Sequence, residues 1–338
     1  MIFFRIDLSI KHGLGHYNRA KSLIKYLGLN KYKIVIDKLP NNHFFKNEKK
    51  NIISLYGNGT HFIDEKKDAT LFLKIIRNKF NNPVVVKDSY RLGFNWEKYI
   101  YKYCKKIISI DDFPEKKHFV DYLINHSPSF LDRNKKILEK IKKKNKRNCI
   151  FLLGPNYSLF NSKYDKKKII SDFVFYNGGS GNLLVYEKII KKISKIRKIP
   201  FKIILIVGPF SKNYKKIYQK FNRYKNIKIL HQPKNILNAI KGTKIFISSA
   251  GVSIFESSFL KVPTLLFKMN NNQNLIDSDY EKLGHYFLLK KKDLNYSDKI
   301  VNLAILMMKN RNQIKKMMSK SIINIKDIKK NYQKYFSF

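Results

Sequence analysis

Short apolar runs alternate with amphipathic stretches along almost the whole chain, and this alternation restricts the fold more than any other feature. Candidate strands lie at 2–8, 33–37, 83–88 and 106–111, then at 172–177, 202–207, 226–230, 244–248 and 263–267. Several are near-continuous β-branched runs, the pattern of strands covered on both faces of a parallel sheet. Helical spacing fills 16–28, 64–79, 94–104, 183–197, 234–241, 253–260, 273–283 and 297–308. Strands and helices taken in turn predict an α/β architecture with crossover helices.

The alternation restarts halfway. Polar IKKKNKRN (141–148) is followed by the short apolar run CIFLLGP, and then by NYSLFNSKYDKKK before the strand at 172–177. A junction near 160–168 follows, with two doubly wound, Rossmann-like domains over 1–165 and 166–338. Segment 310–335 has helical spacing and is expected to pack on the surface, back on the first domain. The Lys runs at 140–146 and 290–292 read as solvated faces.

The chain carries 70 Lys+Arg against 24 Asp+Glu, a formal net charge of +46. Such a balance first suggests nucleic acid or an anionic surface. However, the excess is almost all Lys, spread over the full length, and Lys, Ile and Asn together reach roughly 40% of the chain. An A/T-rich coding bias produces that composition without a polyanionic partner. Two cysteines, Cys104 and Cys149, leave no disulfide framework and no Cys-based zinc site. Met1 leads straight into IFFRIDL, which reads as a first strand and not a signal peptide, and no run approaches a membrane span. A cytoplasmic monomer without a cofactor is the expectation.

The first strand runs into KHGLGHYNRAKSL. Gly13 and Gly15 make a tight turn that lets a ligand approach the backbone, but Asn18 stands where a dinucleotide fingerprint has its third glycine. His16 sits at the helix entrance and Arg19 one turn on; a neutral imidazole there can take a proton from water. The third strand ends in KDSYRLGFNWE, which brings Asp88 and Tyr90 to the same sheet edge. They either orient His16 or form an ordinary turn. Asp111 and Asp112 reach this edge too, without a second cluster of metal-ligand spacing. In the second half, Gly178, Gly179 and Ser180 form a small-residue turn that suits a phosphate. In KIFISSAGVSIFESSFLKVP, a buried strand ends at Ser249, Ala250 and Gly251, and a helix opens at Val252 or Ser253. Small residues there admit a diphosphate, and Glu256, one turn in, can take two ribose hydroxyls. No Walker A lysine accompanies them.

The 244–274 stretch resembles the nucleotide-sugar half of two-domain GT-B glycosyltransferases. GLGHYNR, DSYRLGFNWE, IDDF, LLGPNYSLF, NGGS and SSAGVSIFESSFLKVP…NQN, taken in order over about residues 10–285, resemble a narrower group. This is the UDP-2,4-diacetamido-2,4,6-trideoxy-β-L-altropyranose hydrolases of pseudaminic acid biosynthesis. The resemblance implies a GT-B fold with the domains facing across a cleft. It also implies catalysis at His16 with Asp88 and Tyr90, a donor site at Ser249, Gly251 and Glu256, and sugar contacts from Asn272 and Gln273. The chain departs from that group at Asn161 and Ser162, where an Arg is usual, and at Gly181, where Asp is common.

The implied reaction is a metal-independent release of UDP and a free diacetamido-trideoxy sugar, by water attack at the anomeric carbon. The product would serve nonulosonic acid synthesis for flagellin or surface polysaccharide. A UDP-sugar-dependent glycosyltransferase on the same fold is the alternative. A nucleic-acid-binding protein is a third reading, and the even spread of Lys argues against it.

Overall fold

A computed structural model of the chain describes residues 1–9, 12–40, 43–56, 62, 64–77, 82–113, 116–130, 135–145, 148–165, 169–181, 183–196, 200–249, 251–267, 281, 283–284, 287–289, 295–318 and 323–336. Two compact units emerge. The first comprises Met1–His12, His16–Leu159 and Lys326–Phe338, and the second Gly13–Gly15 and Phe160–Ile325.

The first unit is built on a seven-stranded parallel sheet. Its strands are β1 (Ile2–Ile6), β2 (Tyr32–Ile36), β3 (Ile52–Ser54), β4 (Val84–Asp88), β5 (Lys106–Ile110), β6 (Tyr122–Asn125) and β7 (Ile150–Leu153). Their order is β3-β2-β1-β4-β5-β6-β7, so the winding reverses between β1 and β4. There Ile6 lies opposite Asp88. The period of two sends alternate residues to opposite faces. On one face Phe3, Val85, Ile107 and Leu123 meet Phe72 and Ile76 of α2 (Glu65–Arg77) and Trp96 and Ile100 of α3 (Phe94–Tyr101). The helix over Ile325–Tyr335 also belongs to this unit, where the buried Tyr332 donates its hydroxyl to Tyr157 O at 2.6 Å.

The second unit repeats the plan with six parallel strands. They are β8 (Ser171–Tyr176), β9 (Ile203–Val207), β10 (Ile227–His231), β11 (Thr243–Ser249), β12 (Thr264–Phe267) and β13 (Phe287–Leu289). The order is β10-β9-β8-β11-β12-β13, and the reversal falls between β8 and β11. Phe173, Phe175, Leu205 and Ile247 pack on Tyr186, Ile189 and Ile193 of α5 (Leu184–Ile193), and Val174, Ile204 and Phe246 pack on the opposite side.

The differences from the sequence expectation have local causes. β3, β6 and β13 are three, four and three residues long, too short to stand out as apolar runs. The Lys run at 140–146 is largely the end of a helix, α4 (Lys135–Lys144), whose Ile141 is fully buried. α6 (Tyr214–Phe221) was not anticipated; only Ile217 and Phe221 of it are buried. The helix expected at 273–283 lies outside the described residues, apart from 281, 283 and 284 beside it.

Charge is buried inside the first sheet. Arg5 in β1, Asp7 just past its end and Lys87 in β4 are all fully shielded from solvent. Arg5 Nε donates to Asp68 Oδ1 at 3.1 Å, and Asp68 also accepts from Trp96 Nε1 and the Tyr56 hydroxyl. Lys87 Nζ donates to Glu97 Oε1 at 2.7 Å and to Leu92 O at 2.8 Å. These partners make the burial tolerable, since an unpaired interior charge is strongly unfavourable.

Candidate active site

In open α/β sheets, ligands bind beyond the carboxyl ends of the strands where the winding reverses. In each unit the candidate residues stand at that place.

The chain leaves β1 through Gly13, held at φ +71°, and enters α1 (Gly15–Tyr26), which belongs to the first unit from His16 on. A side chain at Gly13 would be strained at this angle. His16 and Arg19 occupy the first turns of α1 and are almost fully buried. Asp88, the last residue of β4, lies between them: His16 Nδ1 is 2.6 Å from Asp88 Oδ1, Arg19 Nε donates to Oδ2 at 2.9 Å, and Arg19 NH2 donates to Oδ1 at 2.7 Å. Arg19 NH2 also lies 2.9 Å from His16 Nδ1. A bare ring nitrogen would face the carboxylate lone pairs at 2.6 Å, whereas the Arg19 nitrogens already donate to Asp88 and Asp112 and need no acceptor on the ring. The consistent assignment places the proton on Nδ1, donated to Asp88. Nε2 then carries the lone pair.

Burial alone would raise the Asp88 carboxyl, but the Arg19 charge and the bonds from His16 and Arg19 hold it below its ordinary range. Asp88 is thus a fixed carboxylate that sets the His16 tautomer. Arg19 NH1 goes on to Asp112 Oδ1 at 2.7 Å, and the Tyr90 hydroxyl donates to Asp112 Oδ2. Burial and the Asp112 charge push the Tyr90 phenol well above its usual value, so it stays protonated. The Tyr90 ring stands edge-on to His16, with centroids 4.7 Å apart. From its place beside the glycine loop, Arg19 is expected from the sequence to be a phosphate or sugar contact. In the structure Arg19 is 3% exposed, and its three nitrogens serve Asp88 and Asp112.

Asp111 and Asp112 do not form a shared ligand pair. Asp111 Oδ1 accepts the Phe113 N–H at 2.7 Å, and its other oxygen faces His118 Nε2 at 3.7 Å. Asp112 faces Arg19, Tyr90 and, at 3.7 Å, His126 Nε2. His126 follows β6 and was missed by sequence reasoning. Its turn is fixed by Asn125, which donates to Asp111 O at 2.7 Å and accepts from Ser127 N at 2.7 Å. Burial lowers the His126 imidazole to about 4; Asp112 pulls it up and Arg19 pushes it down, so it is neutral at physiological pH. Asp7 was missed as well. It accepts Ser89 Oγ at 3.0 Å, Tyr90 N at 3.2 Å and the Arg91 guanidinium, and so holds the 88–91 turn. A charged residue inside the apolar β1 run was the available signal.

In the second unit, β8 ends into Asn177 and the Gly178–Gly181 loop. Phe210 N donates to Gly179 O at 2.8 Å and pins the loop to the next strand's turn. A Cβ at Gly181 would lie 2.0 Å from Asn177 O, so this loop admits no side chain there. That accounts for the glycine where the resembling group often has Asp. Beyond β11, Ser249 O accepts the Gly251 N–H at 2.8 Å, and Ser248 Oγ lies 3.1 Å from Ser253 Oγ. Gly251 is exposed and Val252 half-buried, ahead of α8 (Ser253–Phe259). Glu256 in α8 is 7% exposed, and burial pushes its carboxyl up to about 8 although the Asn161 N–H donates to it. Tyr176, the last residue of β8, is close enough to feel the Glu256 charge. Ala250, Asn272 and Gln273 lie outside the described residues.

No family model matches the chain. An uncharacterized protein of Methanocaldococcus jannaschii, MJ1062, is 25% identical over 292 residues. The match covers 82% of this chain but only 57% of that protein's length. Solved structures share the fold from end to end. They include Methanocaldococcus jannaschii UDP-GlcNAc 2-epimerase with UDP-GlcNAc and UDP (TM-score 0.59, 15% identity, 99% of both chains). Another is Acinetobacter baumannii MurG (0.56, 10%, 98% of this chain and 99% of that one). A third is TcCGT1 with UDP (0.62, 11%, 99% of both). At these identities the likeness establishes a GT-B type fold.

Proposed function

We propose that the chain is a nucleotide-sugar hydrolase that releases UDP and a free 2,4-diacetamido-2,4,6-trideoxy-L-altrose, or a close relative. The observation that carries the proposal is the His16–Asp88 pair backed by Arg19. Asp88 keeps the proton on Nδ1, so Nε2 is the basic atom. Water attacks the anomeric carbon and His16 Nε2 takes its proton. The carbon–oxygen bond to the diphosphate breaks with its electron pair on UDP, and the anomeric centre inverts. Tyr90, whose hydroxyl proton is given to Asp112, offers its oxygen to the sugar as an acceptor and not as an acid. Arg19 positions both carboxylates.

The second unit holds the nucleotide. Gly178, Gly179 and Ser180, with the turn from Ser249 through Ala250, Gly251 and Val252 to Ser253, present small residues and backbone N–H groups to the diphosphate. Glu256 takes the ribose hydroxyls. Asn272 and Gln273 belong to the sugar contacts by resemblance alone. Structures of the same fold solved with UDP-GlcNAc or UDP support this division. The proposal involves no metal, and a chelator is expected to leave the rate unchanged.

Incubation of the protein with the UDP-sugar and no acceptor tests it. UDP and free sugar should appear together, and His16→Ala should lower kcat by about 10²–10⁴ while UDP still binds. Turnover only when an acceptor is added would replace hydrolysis with glycosyl transfer.

A further inference from the structure

A second charged cluster stands behind the first. Lys87 and Asp88 are consecutive in β4, so their side chains leave the sheet on opposite faces. Asp88 serves His16 and Arg19, whereas Lys87 meets Glu97 of α3. Glu97 Oε1 accepts Lys87 Nζ at 2.7 Å and lies 2.9 Å from His118 Nδ1, and its Oε2 accepts the Phe119 N–H at 2.6 Å. A carboxylate so surrounded by donors places the His118 proton on Nδ1. The His118 backbone is fixed as well, since its N–H donates to Asn145 Oδ1 at 2.6 Å.

His118 Nε2 is left pointing at Asp111 Oδ2, 3.7 Å away, and the two side chains are 1% and 3% exposed. Among the described residues Nε2 has no hydrogen-bond partner, and Asp111 uses Oδ1 alone, for the Phe113 N–H. With Asp111 ionised, lone pairs would face one another across this gap. The charges would not balance either: Lys87 cancels Glu97, and the Asp111 carboxylate is left over as a buried negative charge. Burial pushes the Asp111 carboxyl above its ordinary range, and the opposing pull of Lys87, His118, the Phe113 N–H and Lys116 does not outweigh it. One proton between Oδ2 and Nε2 satisfies both atoms and removes the excess charge. Asp111 also anchors its turn, donating its N–H to Ile124 O at 3.1 Å and accepting Asn125 Nδ2 at its carbonyl at 2.7 Å. Asp112, next in the chain, holds Arg19 and Tyr90.

We propose that Asp111 and His118 share one buried proton, and that this bridge fixes the turn from which Asp112 holds Arg19 and Tyr90. His118 is thus a positioning residue, acting through Asp111. The bridge itself stands apart from the hydrolase reading, and only its effect on rate rests on that reading. Because the proton belongs to the folded form, its contribution to stability is complete below the unfolded carboxyl value of about 3.9. It is lost as pH rises through the higher folded value.

The test compares the full-length protein with Asp111→Asn, whose amide can donate to Nε2 at every pH while its oxygen accepts the Phe113 N–H. Between about pH 5 and 10, urea midpoints should fall more steeply in the unaltered protein, by up to the slope of one bound proton. The Glu256 contribution is common to both forms and cancels. The His16 Nδ1–H proton resonance should broaden at lower pH in the unaltered protein than in the variant, and kcat should show an alkaline fall that the variant lacks. A constant difference between the two sets of midpoints would overturn the bridge. The same pH dependence of the His16 resonance in both forms would overturn the positioning role. If Asp111→Asn does not fold, ¹⁵N NMR of His118 in the unaltered protein decides. A hydrogen-bonded Nε2 at neutral pH upholds the bridge, and a free imidazole nitrogen overturns it. Absence of turnover in both forms counts against the hydrolase reading alone, since midpoints and resonances still judge the bridge.

Discussion

At the scale of single residues, the chemistry depends on where one proton sits. Asp88→Asn keeps the shape of the carboxylate but removes the charge that holds the proton on His16 Nδ1. The amide would donate to that nitrogen or turn its oxygen away from Arg19, and kcat should fall by about 10²–10⁴. It would also leave the buried Arg19 with Asp112 alone, at a loss of roughly 3–5 kcal/mol of stability, measurable as a lower urea midpoint. Glu256 gives a second handle. With its carboxyl raised to about 8 it is mostly protonated at pH 7 without ligand. Two ribose hydroxyls donating to it favour the carboxylate, so UDP binding should release close to one proton at pH 7. Calorimetry in buffers of different ionisation enthalpy detects this, and Glu256→Gln should abolish it. Because its folded value lies above the unfolded one, the Glu256 contribution to stability is complete below about pH 4.5 and fades as pH rises through about 8. His16, Asp88 and Tyr90 were legible because they follow strand ends and flank glycine or turn residues. His126 was not, and for Asp112 only its place at the edge was, since an imidazole or carboxylate in a loop carries no sign of the partner it meets across the sheet.

At the scale of elements, strands carry the site by ending together. β1, β4, β5 and β6 are neighbours in the sheet, and within two residues of their ends stand Asp7, Asp88, Asp112 and His126. Behind them Lys87 and Glu97 tie β4 to α3. Burial would raise Glu97, but Lys87 and His118 outweigh it and bring it down to about 2. A group depressed in the fold contributes stability above its unfolded value, about 4.5, and that contribution is lost as pH falls toward 2. Lys87→Met strands the Glu97 charge and should destabilise the protein by about 3–5 kcal/mol, while the Lys87→Met, Glu97→Leu double variant should recover much of it. A thermal melt of the three forms measures both. The long strands were legible from their β-branched runs. The short ones, three or four residues each, were not, and neither was α4, because its lysines outnumber the apolar positions around the buried Ile141.

At the scale of the whole molecule, two units with the same strand order each set their candidate residues at the reversal point of the sheet. This doubling was legible as an alternation that restarts near the middle of the chain. The return of the last helix to the first unit rests on Tyr332 and its bond to Tyr157 O, which spacing alone does not specify. The +46 charge belongs to this scale too. It should raise the encounter rate with a dianionic nucleotide, so kcat/KM should fall with added salt while kcat holds.

The central claim is water attack at the anomeric carbon with His16 as the base. Its most direct test is acceptor-free turnover in ¹⁸O-labelled water. Label is expected in the free sugar and none in UDP, with loss of both products in His16→Ala. Label in the UDP phosphate, or unchanged turnover in His16→Ala, would contradict it.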